Sequence, residues 1–222
     1  MKKVNFYIDG FNLYHSAFKY HKVVVDNQTI TAGWPELRWQ NLYSLMEQFV
    51  NPKTEEIGSV FYFTANPSWI KSKSEKHQNY ISALLIAGVS VIQGKFKEKE
   101  KRCQAQCRQT YISHEEKESD VNIAINLLSD ILLSKCDIAY LVSGDSDIVP
   151  AIKKAKQLVP SCRIGLIIPP YQKGLDLRNN VDFYKKITRK HLKKSLFPKE
   201  ITIGTTKIIA PEGWIPKHKN QN

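Results

Sequence analysis

Four aspartates carry the first chemistry that can be read in the chain. Asp9 stands in IDGFN, Asp120 in EEKESDVN, and Asp145 and Asp147 in VSGDSD. Asp9 and Asp145 each follow a short apolar run. Pro150, just past Asp147, suits the first turn of a helix, where N–H groups have no intrahelical partner. Carboxylates brought together repel one another and call for a cation. Hard oxygen donors without Cys or neutral His point to Mg²⁺ or Mn²⁺. One or two such ions beside a basic surface suggest phosphodiester hydrolysis. A metal lowers the pKa of bound water, and a pair clamps the attacking and leaving oxygens about 3.5–4 Å apart. The plainer reading makes each Asp a helix cap or a turn residue. Two aspartates that both end apolar runs, with a GDSD doublet, favour a shared site.

Elements that could position these acids are legible. Lys3–Ile8, Ser59–Thr64, Val89–Gln93, Ile138–Ser143 and Arg163–Ile168 read as five strands, mostly apolar on both faces, as in a buried parallel sheet. Helices are expected over Leu37–Val50, over Glu75–Ala87 before Gly88, over Val121–Leu133, and over Ile148–Val159 before Pro160. The third puts Val121, Ala124, Ile125, Leu128 and Leu132 on one apolar stripe. Regular alternation of strand and helix argues for a doubly wound α/β sheet. In such sheets a crevice forms at the carboxyl ends of the strands, where strand order reverses. With the fourth strand beside the first, Asp9 and Asp145 become neighbours there, and Asp120 and Asp147 close the ring. Ser143 and Ser146 are candidates for holding a phosphate, helped by helix N-terminal N–H groups, with turn and cap hydroxyls the equal alternative. Glu116 and Glu118 could stand behind the metal-binding acids, but solvated acids at a helix start, which suit the macrodipole, are the better reading.

Composition bounds the rest. The 222 residues are 42% apolar and 24% charged, enough for one substantial domain and unlike a disordered chain. No apolar run approaches the roughly 18–20 residues of a membrane span. Four Cys and no readable export signal suggest a cytoplasmic protein rather than a disulfide framework. The net charge is +12, and its excess lies late in the chain. Residues 1–150 carry 17 basic and 17 acidic side chains, whereas residues 151–222 carry 16 and four. A polyanionic partner follows, nucleic acid before membrane; lysine kept for solubility is the alternative. Lys185, Lys186, Arg189, Lys190, Lys193 and Lys194 cover half of one expected helix, with Lys186 and Lys190 as phosphate contacts. Residues 1–170 form the expected catalytic domain, with 95–118 as a polar insertion. Residues 171–222 add the basic helix and a small hairpin packed on the same domain.

The insertion's KFKEKEKR alternates in sign, so its net field is read as small and its place as an exposed extension near the site mouth. Cys103, Cys107 and His114 could offer three zinc ligands, but no close fourth is visible and they are read as ordinary side chains. Phe11, Tyr14, Trp34 and Trp69 could stack on bases, though spacing singles out none. A homodimer through the tail hairpin is allowed, without a legible zipper.

Three stretches also carry a family resemblance: IDGFNLYHS (Ile8–Ser16), EEKESDVNIAINLL (Glu115–Leu128) and LVSGDSDIVPAI (Leu141–Ile152). In this order and spacing they resemble the NYN domain family, in the DUF88 or LabA-like branch of the PIN-like nucleases. The closing LFPKEIT and IIAPEGW stretches resemble the tail of that branch. The resemblance implies a PIN-like parallel sheet of order 3-2-1-4-5, with Asp9, Asp120, Asp145 and Asp147 as metal-binding acids and Asn12 beside them. It also implies a Mg²⁺- or Mn²⁺-dependent ribonuclease, with RNA favoured over DNA. The alternative of another class is a non-catalytic RNA-binding or regulatory module. A haloacid-dehalogenase-type phosphatase fits less well, because Asp9–Gly10–Phe11 lacks the second Asp of its DxD.

Overall fold

The structure is a computed structural model that describes residues 1–25, 28–103 and 107–216. Strand β1 (Lys2–Asp9) runs into the short helix α1 (Gly10–Leu13), then a hairpin of β2 (His21–Val25) and β3 (Gln28–Ala32), and helix α2 (Leu42–Glu47). Strand β4 (Glu55–Thr64), helix α3 (Lys71–Ile86) and strand β5 (Val89–Gln93) follow, then a second hairpin of β6 (Lys95–Arg102) and β7 (Thr110–Lys117). Helix α4 (Ser119–Leu132), strand β8 (Ile138–Val142), helix α5 (Val149–Leu158) and strand β9 (Arg163–Ile168) complete the alternation. The chain closes with α6 (Leu175–Arg178), β10 (Phe183–Lys186), α7 (Arg189–Lys194) and the hairpin β11 (Glu200–Ile203) and β12 (Thr206–Ile209).

Six strands form one parallel sheet in the order β10-β9-β8-β1-β4-β5. The five expected strands are there in the expected 3-2-1-4-5 order. The central strand β1 is buried from Val4 to Asp9, which is why KVNFYI shows no polar face. Val4, Phe6 and Ile8 pack in the layer that holds Leu45 of α2, Leu84 of α3 and Leu192 of α7. Tyr7 packs in the opposite layer, against α4 and α5. Asp130 of α4 fastens that layer to β1. Buried beneath the helix, it accepts hydrogen bonds from Tyr7 Oη at 2.9 Å and Asn5 Nδ2 at 3.2 Å, and it pairs with Lys135 at 3.2 Å. Among the described residues, no helix is long and apolar enough to cross a membrane.

Three details correct the sequence reading. Lys185 and Lys186 lie in a sixth strand, not in the expected basic helix. Phe183–Lys186 pairs with Gly165–Ile168, Ile187 is buried, and Thr188 then caps α7 by accepting the His191 N–H. The α4 stripe read from the sequence is not the one that meets the core. Ile123, Leu127 and Ile131 are buried, whereas Val121, Ile125 and Leu132 are exposed, because the helix is apolar on two sides and the sheet covers only one. The polar insertion, read only as an exposed extension, holds an antiparallel hairpin with Lys95 opposite Lys117 and Arg102 opposite Thr110.

Candidate active site

Strand register brings the two halves of the site together. Ile8 lies opposite Val142 in the β1–β8 pairing, so Asp9 and Ser143 leave the sheet at the same level. Strand order reverses here, since β1 continues to β4 on one side while β8 continues to β9 on the other. Ser143 Oγ donates to Asp9 Oδ2 at 2.8 Å and accepts the Asp145 N–H at 3.0 Å. The Asn12 N–H donates to Asp9 Oδ1 at 2.9 Å, and Asn12 Oδ1 accepts the Gly144 N–H at 3.0 Å. These four bonds tie the two strand-end loops into one unit. Gly10 is required between them: a Cβ there would sit 2.5 Å from the Phe63 carbonyl oxygen, well inside contact distance.

Above this unit three acids converge. Asp145 caps the 3₁₀ turn Ser146–Ile148 that leads into α5, its Oδ1 accepting the Asp147 N–H at 3.1 Å. Asp120 lies in the first turn of α4. One carboxylate oxygen from each of Asp120, Asp145 and Asp147 lies within 4.8 Å of the others. Partial burial first, and then the charges of Asp145 and Asp147, push the Asp120 carboxyl above its ordinary value. Asp9 is not one of the three. It lies buried beside them, both its oxygens hydrogen-bonded. Burial pushes its pKa up to about 6, against the bonds from Asn12 and Ser143, and the charges of Asp120 and Asp145 add to the rise. A set of oxygen donors whose members raise one another's proton affinity is suited to a hard divalent cation.

Of the two glutamates before α4, Glu116 is not the solvated acid that the sequence favours: it faces this site. It ends the inward side of β7, accepts a hydrogen bond from Ser119 Oγ, and is pushed up to about 7, chiefly by burial and then by the charges of Asp9 and Asp120. The signal that could have found it is the two-residue alternation of TYISHEEK, which puts Glu116 on the same side as His114.

The other candidates are more scattered. Ser143 is fully buried and its two hydrogen bonds are internal, whereas Ser146 is exposed in the turn after Asp145. Lys186 ends the edge strand and Lys190 lies in the first turn of α7, both exposed. Among the described residues, no hydrogen bond or ion pair joins either lysine to the acids. Phe11 and Tyr14 are exposed just beyond Asp9. Trp69 stacks on His114 at 3.7 Å and meets Phe96 at 4.6 Å. His114 lies opposite Glu98, four residue pairs from the Arg102–Thr110 pair beside the cysteines. That is about 13 Å along the hairpin, too far to share one zinc with Cys103 and Cys107.

The NYN domain family model matches residues 3–186. The chain is similar to the 6-hydroxy-3-succinoylpyridine 3-monooxygenase HspA of Pseudomonas putida (strain DSM 28022 / S16). The two are 23% identical over 250 residues, spanning 96% of this chain and 75% of that protein. The fold is also that of a protein of unknown function, VPA0982 from Vibrio parahaemolyticus RIMD 2210633. Its crystal structure matches with a TM-score of 0.54 at 16% identity, over 85% of this chain and 94% of that one.

Proposed function

This chain belongs to the NYN domain family, within the PIN-like nuclease superfamily, and from that premise we propose that it is a divalent-metal-dependent nuclease that hydrolyses phosphodiester bonds, of RNA before DNA. The observation that carries the reading is the convergence of Asp120, Asp145 and Asp147 at the strand-order reversal of the sheet. These three would hold Mg²⁺ or Mn²⁺. When bound, the cation supplies charge neutralisation for phosphate oxygens and acidity for an attacking water.

The chain's own residues do the positioning. Ser143 and Asn12 hold Asp9 and the Gly144–Asp145 backbone in register, so that Asp145 keeps a fixed direction. Asp9 adds negative charge from below, which strengthens the pull on a cation. Asp147 and Asp120 close the site from the turn before α5 and from the first turn of α4. Lys186 and Lys190 are proposed as more distant backbone contacts.

A second reading is carried by the alignment with a protein named a 3-monooxygenase. Monooxygenation consumes O₂ and two electrons from a reductant. Its iron-dependent forms characteristically use imidazole beside carboxylate, whereas the cluster here contains aspartate alone. The deciding experiment is cleavage of a mixed single-stranded RNA and DNA pool in Mn²⁺ by wild type and by Asp145→Asn. Loss of cleavage in the variant supports the nuclease. Equal activity in both places the reaction elsewhere, and an inert wild type that consumes O₂ with a two-electron reductant and a hydroxypyridine would favour the second reading.

A further inference from the structure

We propose that the β6–β7 hairpin is a nucleic-acid arm, whose lysine face binds the phosphates of a single strand on its way to the acid cluster; this rests on the nuclease reading above. In the sequence KFKEKEKR the charges nearly cancel. Strand geometry undoes the cancellation, because successive side chains point to opposite faces. Lys95, Lys97, Lys99 and Lys101 share one face of β6, and their partners across the hairpin are Lys117, Glu115, Ser113 and Tyr111. That face carries five lysines and one glutamate. Glu98, Glu100 and Glu116 lie on the other face, with Phe96 and His114.

Contacts fix which face is free. Phe96 and His114 both pack on Trp69 of the β4–α3 loop, so the base of the mixed face is turned toward the body of the protein, while Glu98, Glu100 and Ile112 further out are exposed and carry only acidic charge or none. On the lysine face, Glu115 is shared by Lys101 at 2.9 Å, Lys117 at 3.4 Å and Lys99 at 3.6 Å, and these ammonium groups hold its carboxyl down at about 2. One carboxylate cannot neutralise three cations. Lys97 has no ion-pair partner among the described residues, and its side chain is exposed. Lys95 in turn pairs with Glu118, just before α4, so the face keeps a net charge of about +3, counted from its five lysines against Glu115 and Glu118.

Spacing and position suit a strand of phosphates. Alternate residues of a β-strand lie about 6.8 Å apart, a step comparable to that between successive phosphates of an extended single strand. The row starts beside the site, since β7 runs through Glu118 directly into Ser119 and Asp120, and it continues outward for about 20 Å. At its far end Lys101, Arg102, Cys103 and Tyr111 line a hollow of about 480 Å³. Tyr111 is 53% exposed there, an aromatic face beside two cations, as a base-stacking position requires.

The test compares full-length wild type with Lys97→Ala/Lys99→Ala/Lys101→Ala. Anisotropy of a labelled 12-nucleotide single-stranded RNA, with chelator present to prevent cleavage, gives affinity as a function of salt. Losing three phosphate contacts should lower the log–log slope by about 2 and weaken binding roughly tenfold or more at 0.1 M salt. The same variant should hydrolyse bis(p-nitrophenyl) phosphate in Mn²⁺ as wild type does, because that substrate is too short to reach the hairpin. Glu98→Ala/Glu100→Ala, on the opposite face, should leave the slope unchanged. A triple variant with the wild-type slope and affinity overturns the arm while leaving the nuclease reading intact. A wild type that neither binds RNA or DNA nor hydrolyses the small diester overturns both.

Discussion

Replacing Asp9 by Asn removes a carboxylate that the fold makes costly to ionise. Asp9 is 4% exposed, and burial is the main cause of the rise in its pKa from 3.8 to about 6. A tenfold change in proton affinity is worth about 1.36 kcal/mol, so ionised Asp9 costs the folded state roughly 3 kcal/mol. The sign follows from the direction of the shift. A raised folded-state pKa contributes fully below the ordinary 3.8, and that contribution is lost as pH climbs through about 6. Asn avoids the loss. Its Oδ1 can still accept the Asn12 N–H, and its Nδ2 can donate to Ser143 Oγ. In the presence of chelator, Asp9→Asn should therefore match wild type near pH 4 and exceed it by up to about 3 kcal/mol at pH 8. For a chain of this size that is a Tm gain of roughly 6–12 °C. Urea denaturation of both proteins across this pH range measures the difference. A gap that does not change with pH, or an Asn variant less stable at pH 8, would refute the burial argument. Added Mg²⁺ should narrow the gap, because cation charge beside Asp120 and Asp145 eases the ionisation of Asp9.

Two further outcomes are expected. Asp130→Ala strips the acceptor from the buried Tyr7 hydroxyl and from Asn5, and should cost about 2–4 kcal/mol in urea denaturation; a loss below about 1 kcal/mol would mean that water replaces the carboxylate. His77 hydrogen-bonds Thr64 and burial lowers its pKa to about 4, so its contribution is present above 6.5 and lost as pH falls toward 4. Wild type should lose roughly 2 kcal/mol relative to His77→Gln between pH 7 and pH 5, and parallel stability curves would contradict this.

The sheet and the site were legible to different degrees, for physical reasons. KVNFYI and IAYLV are buried on both faces, and that burial marked them as central strands with Asp9 and Asp145 just past their ends. Side-chain burial cannot mark an edge strand of four residues. Phe183–Lys186 earns its strand geometry from pairing with β9, a partner that local pattern does not contain, so its lysines looked like part of the helix after them. Helix α4 has apolar residues on two sides, and only packing against the sheet distinguishes Ile123, Leu127 and Ile131 from Val121, Ile125 and Leu132. Glu116 was hidden by its neighbours. Among Glu115, Lys117 and Glu118 it looks solvated, and only the pleat of β7 turns it inward while Glu115 faces the lysines. The same pleat separates the charges of KFKEKEKR, which counting along the chain averages away.

Mn²⁺ binding to chelator-stripped protein, followed by the loss of the free-ion electron paramagnetic resonance signal, asks most directly whether Asp120, Asp145 and Asp147 hold a divalent cation. Wild type should take up Mn²⁺, with Mg²⁺ competing, and Asp145→Asn should weaken uptake at least tenfold while keeping the wild-type fold by circular dichroism. Equal uptake by the two proteins would contradict the assignment of the metal to these three acids.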